Sequence, residues 1–109
     1  MDNGITSVQE AIYAREQGID LIITDHHQNL ETVPDALAVV NPQVSPNYPF
    51  KGLAGVGVAF KLICALLTKF SFSQKEKNDI FNSFLPIVAI GTVADIVPLI
   101  HENRVIVKK

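Results

Sequence analysis

An α/β fold, with a parallel sheet flanked by helices, is what this sequence predicts. Two observations lead there. Ile19–Thr24 and Ala36–Val40 are short, mostly apolar runs bounded by Gly18 and by Asn41-Pro42, the pattern of strands buried on both faces. Helix-like segments lie around them, and strands alternating with helices make βαβ units. The bulk composition agrees: 48% hydrophobic and 18% charged residues in a chain of 109 suit one small globular domain and argue against disorder.

The elements follow in order. Thr6 and Ser7 are N-cap residues with Gln9 and Glu10 three positions on, so a helix is expected over 7–17. Val8, Ala11 and Ile12 share its apolar face, and Gly18 suits the position just past its end. Strands over 19–24 and 36–40 come next. Residues 42–54, punctuated by Pro42, Pro46, Pro49 and Gly52, read as a loop. Gly55-Val56-Gly57 then opens an apolar helix over about 56–69. Ser73-Gln74-Lys75-Glu76 is a capping box that starts a polar helix running to about Phe84. From Pro86 onward the pattern admits a strand, Ile87–Ile90, or a helix; a helix over about 84–96 is preferred, with Ala89, Val93 and Ile96 on one face and Pro98 beyond its end. Glu102 begins a last helix. In a βαβ unit a strand should precede Asp2, for which Met1 leaves no room, and Val105–Lys109 stops in mid-pattern. A fragment of a longer protein is therefore expected.

The composition also excludes. No apolar run is long enough to span a membrane, and no basic-apolar signal segment opens the chain. Cys64 is the single cysteine, so no internal disulfide forms, which fits a cytoplasmic location. A net charge of −2 carries no global footprint for nucleic acid, so any phosphate would have to be held by a local site.

Such a site is suggested by polar residues set among apolar ones. Asp25, His26 and His27 stand at the carboxyl end of a strand, where open parallel sheets bind their ligands. Asp2 would occupy the same position on the neighbouring strand, and Asp95 interrupts the run Ala89–Val97. A charge buried without a partner is costly, and a mixture of carboxylate and imidazole suits Mn²⁺ or another divalent first-row metal. Successive strand side chains diverge, so one histidine is expected on the metal and the other on substrate, with Asp25 orienting an imidazole. The residues alone leave blander readings open. Asp25-His26-His27 also fits a polar turn, Asp2-Asn3-Gly4 a tight turn, and Asp95 a helix end. Gly55-Val56-Gly57 fits either a phosphate-binding helix start or close helix packing. His101 and Cys64 read as a solvated helix-start residue and a core thiol, and Lys61 and Lys69 as a polar helix face.

Taken together, the blocks Asp2–Ser7 and Gly18–His27 resemble the second and third motifs of the DHH phosphoesterases. Asn41-Pro42, Tyr48-Pro49-Phe50, Leu53–Leu62, Gly91–Leu99 and Glu102-Asn103-Arg104 are similar to that family's RecJ branch, whose members degrade single-stranded DNA from the 5′ end. The resemblance implies a metal-dependent exonuclease acting on single-stranded DNA, with two divalent ions, Mn²⁺ or Mg²⁺. It implies that Asp2 bridges the ions, that His26 and Asp95 bind metal, that His27 faces the scissile phosphate, and that Asp25 supports the histidines from behind. The family's first motif, a strand carrying paired aspartates, is not among these residues. Nor are the downstream nucleic-acid-binding region called DHHA1 and the appended OB-type domain. The expectation is a partial DHH domain with little or no turnover on its own. Other DHH enzymes, such as an inorganic pyrophosphatase or a phosphatase for nucleotides or short oligonucleotides, and a metal-free binding module are the competing readings. Val56–Leu62 and Gly91–Leu99 favour the RecJ branch.

Overall fold

The computed structural model describes residues 2–28 and 32–108. The chain divides into two compact units, Met1–Lys51 and Gly52–Lys109. The first holds helix α1 (Val8–Glu16) and strands β1 (Ile22–Thr24) and β2 (Ala38–Val40). The second holds helices α2 (Gly55–Lys69), α3 (Gln74–Ala94) and α4 (His101–Lys108). Mixed helix and parallel strand is the class the sequence predicts.

In the first unit, α1 buries Ala11 and Ala14. Its Ser7 cap is positional only, because the Ser7 side chain makes no capping bond. The end of the helix is defined more firmly. Gly18, at φ 69°, donates its N–H to the Arg15 carbonyl, and Ile19 donates to Ala14 at 2.8 Å. These two bonds form a Schellman closure with glycine in the left-handed position that it alone adopts without penalty. The closure also explains why β1 is shorter than expected. Ile19 is spent on capping the helix, and the strand begins only at Ile22.

β1 and β2 pair in parallel, with Ile22 opposite Ala38 and Thr24 opposite Val40. Main-chain bonds beyond the strands extend the pairing at both ends, from Leu37 N–H to the Leu21 carbonyl and from Asp25 N–H to the Val40 carbonyl. On its own chain end, Asp2 donates its N–H to the Thr24 carbonyl at 2.8 Å. Asp2 is thereby tied to the carboxyl end of β1. Ile5 and Ile23 are buried in this unit.

In the second unit the core is Phe60 on α2, Leu85 and Val88 on α3, and Ile106 on α4, with Val56, Cys64, Phe81 and Ala89 packed against it. Phe60 and Phe81 meet with ring centroids 5.0 Å apart. The sequence predicts two helices meeting near Phe84, whereas α3 runs unbroken through Pro86. Proline removes one N–H and frees the carbonyl four residues back. Here Asn82 and Pro86 are both exposed, so the freed carbonyl belongs to the solvent-facing side of the helix, where its loss of a partner costs little. Of the expected α3 face, Ala89 packs against the core, whereas Val93 and Ile96 are exposed. Leu85, Val88 and Thr92 are buried instead, with Phe81 packed beside them. Thr92 fits the core because its hydroxyl donates to the Val88 carbonyl at 2.7 Å. At Gly91 a Cβ would lie 2.9 Å from Val56 Cγ1, so α2 and α3 approach where there is no side chain. The predicted Ser73 capping box is present in full. Asn103, fully buried, donates to the carbonyls of Gly52 and Pro98 and so ties α4 to the start of this unit.

Candidate metal centre

The centre is built around Asp25, the first residue past β1. Its side chain is 1% exposed. Oδ2 accepts the Ile5 N–H at 3.0 Å. Oδ1 accepts the N–H of His26 at 2.7 Å and of His27 at 3.2 Å, and lies 2.7 Å from His27 Nδ1. Burial works to raise the Asp25 pKa. The donors from Ile5, the His27 ring and the two histidine amides outweigh it and hold the carboxyl below its ordinary value. Asp25 is therefore an ionised, fully engaged carboxylate.

Because one carboxylate oxygen takes both following amides, the backbone curls after Asp25 instead of continuing as a strand. The expected divergence of His26 and His27 does not occur, since strand alternation stops at Thr24. The two rings lie with centroids 4.3 Å apart. With Asp25 on Nδ1 of His27, an outward bond from that ring falls to Nε2.

Asp2 comes to the histidines from the other side. Its Oδ1 lies 2.9 Å from His26 Nε2, with His26 mostly buried and Asp2 half exposed. Gly4 makes this approach sterically feasible. It sits at φ 115°, and a Cβ there would press on Ile23 Cγ2 at 3.2 Å. Asp2 itself adopts a φ of 69°, an uncommon conformation for a residue with a side chain. One ligand atom from each of Asp2, His26 and His27 falls within 4.8 Å of the others. One carboxylate and two imidazoles at that spacing match the donor set of a first-row divalent cation.

Asp95 belongs to the other unit, where it is the C-cap of α3 and exposed. The residue after it, Ile96, takes the left-handed position at φ 56°, the helix-ending geometry usually given to glycine. A branched side chain held there costs on the order of 1–3 kcal/mol, and such strain gathers at functional positions. Of the predicted ligands, Asp2 and His26 thus meet within the first unit, together with His27.

Asn41 has a larger part than the closing of β2 that its sequence position suggests. It is buried, its Nδ2 donates to the His27 carbonyl at 3.0 Å, and its Oδ1 accepts the Gln43 N–H at 2.8 Å. The only signal in the sequence was an Asn-Pro directly after an apolar strand. Gly57 reads as packing, since a Cβ there would meet Leu53 Cδ2 at 3.3 Å. Cys64 packs against the second unit's core, and burial pushes its thiol pKa up. His101 is an exposed first residue of α4, as expected.

Residues 1–92 match the model of the DHH family, N-terminal domain. The chain is 50% identical over 107 residues to the single-stranded-DNA-specific exonuclease RecJ of Bacillus subtilis, covering 97% of this chain and 12% of that protein. It is 46% identical over 113 residues to the RecJ of Escherichia coli, covering 97% of this chain and 19% of that protein. A crystal structure of exonuclease RecJ bound to manganese superposes with a TM-score of 0.78 at 37% identity, over 98% of this chain and 26% of that one. A structure of RecJ from Thermus thermophilus in complex with Mn²⁺ gives the same TM-score and identity over 98% of this chain and 15% of that one. The chain thus spans less than a third of each of these relatives. With its Asp-His-His motif at the carboxyl end of a parallel strand and this likeness along nearly its whole length, the chain belongs to the DHH family.

Proposed function

We propose that this chain is part of the catalytic domain of a RecJ-like exonuclease, a cytoplasmic hydrolase that degrades single-stranded DNA 5′→3′ in repair and recombination. The convergence of Asp2, His26 and His27 at the carboxyl end of β1 carries this reading. Relatives 50% and 46% identical to it are named as single-stranded-DNA-specific exonucleases, and a RecJ structure similar to it is described as bound to manganese. The cofactor is a pair of divalent ions, Mn²⁺ or Mg²⁺. When bound, they neutralise the phosphodiester and lower the pKa of an attacking water. Asp2, His26 and Asp95 are the residues that would hold them. His27, its ring aimed by Asp25, meets the phosphoryl oxygens and stabilises the charge that develops there. Asp25, already saturated by four donors, holds this arrangement without binding metal itself.

The test is a calorimetric Mn²⁺ titration of the complete protein that contains this chain. Saturable binding is expected, weakened about tenfold or more by His26→Ala or Asp2→Asn. The same variants should lose hydrolysis of single-stranded DNA when the complete nuclease is assayed. Binding that ignores both substitutions would overturn the assignment.

A further inference from the structure

We infer that Asn41 positions His27 together with Asp25, and that it does so by replacing the main-chain pairing at the point where β1 leaves the sheet. The inference rests on the proposed role of His27 but concerns only how that ring is aimed. The regular rungs between the strands end with Asp25 N–H donating to the Val40 carbonyl at 3.1 Å. In the register that pairs Thr24 with Val40, the next pair would be Asp25 and Asn41. Beyond it the backbone curls, drawn by the Asp25 carboxylate onto the amides of His26 and His27. The His27 carbonyl then lies past the last rung of the ladder. The Asn41 side chain reaches it instead, at 3.0 Å and across fourteen residues of sequence.

The orientation of the Asn41 amide is settled by its two partners. The Gln43 N–H can only donate, so it faces Oδ1, and the His27 carbonyl can only accept, so it faces Nδ2. Asn41 is 2% exposed, so water does not compete for either bond. Asp25 holds His27 at the ring Nδ1 and at the backbone N–H, and Asn41 holds its carbonyl. Asp25 alone grips the residue from one side, whereas the Asn41 bond fixes the far side of its peptide and so helps define where Nε2 aims. Aspartate is no substitute for Asn41. It keeps the acceptor for Gln43 but turns a second carboxylate oxygen toward the His27 carbonyl.

The measurement is the ring-nitrogen NMR spectrum of histidine-labelled chain, with a chelator present, at a pH about two units above the ordinary histidine value of ~6.5. In the unsubstituted chain, His27 should hold its proton on Nδ1, where Asp25 accepts it. In Asn41→Asp that single tautomer should give way to the mixture of an unrestrained imidazole. Gln43→Ala, which removes the Gln43 side-chain bond to the Lys51 carbonyl but leaves both Asn41 bonds, should keep it. If Asn41→Asp does not fold, Asn41→Ser replaces it, because serine still accepts from Gln43 but is too short to reach His27. An unchanged His27 tautomer in the Asn41 variant, or equal loss in Gln43→Ala, overturns the inference. No metal enters the measurement, so a failed Mn²⁺ titration would sink the proposed function and leave this result standing.

Discussion

Asp25 shows how one buried carboxylate organises a site it need not touch chemically. Four donors converge on its two oxygens: one from the turn through Ile5, two from the curl after β1, and one from the His27 ring. Asp25→Asn should therefore be harmful although it is nearly isosteric. The new amide can keep its oxygen toward the histidine amides only by presenting its NH₂ to the Ile5 N–H. That leaves donors facing each other in a buried place, a cost of about 1–3 kcal/mol. Thermal or urea unfolding of the variant should show this loss, and an unchanged midpoint would mean that the Ile5 bond carries no weight. The motif itself was legible in the sequence. What was not legible was the curl that brings the histidine rings together, because it depends on a carboxylate bonding to the two amides that follow it.

At the scale of elements, local signals were readable where a few adjacent residues satisfy each other. Gly18 and the Ser73–Glu76 box are cases in which cap and partner lie within four residues. Glu76 is fully exposed, and its bonds with the Ser73 hydroxyl and amide lower its pKa. The folded-state pKa lies below the unfolded one, so this contribution is present above the ordinary glutamate value of about 4.3 and is lost as pH falls through the lowered folded value. Replacing Glu76 by Gln should lower the melting temperature at neutral pH, and the gap to the unsubstituted chain should close as the pH is taken below about 4. A gap that persists in acid would assign the effect to something other than the ionised box. The continuity of α3 was not readable in the same way. Whether a helix passes through Pro86 depends on which side of the helix the freed carbonyl faces, and the core around Phe60 decides that.

For the whole molecule, the consequential fact is how little of each relative this chain represents. It covers 12% of the Bacillus subtilis RecJ and 19% of the Escherichia coli one. The proposed function needs more ligands for two ions than Asp2, His26 and Asp95 supply. The 109-residue chain assayed alone with Mn²⁺ and single-stranded DNA should release nucleotides no faster than its His26→Ala variant. Digestion that depends on Mn²⁺ and is abolished by His26→Ala would show that these residues suffice. The sequence by itself determined the family, the parallel pairing of two short strands, the Gly18 and Ser73 caps, and Asp2 and Asp25-His26-His27 as the residues to watch. Those properties rest on neighbours in the chain or on patterns repeated along it. The tertiary structure decided that His26 and His27 face the same place, that Asn41 holds the second of them, and which face of α3 is buried. The last two depend on groups far apart in sequence meeting with the right donor, acceptor or volume, and the first on the Asp25 carboxylate turning back onto the amides beside it, a conformation that the residue pattern does not encode.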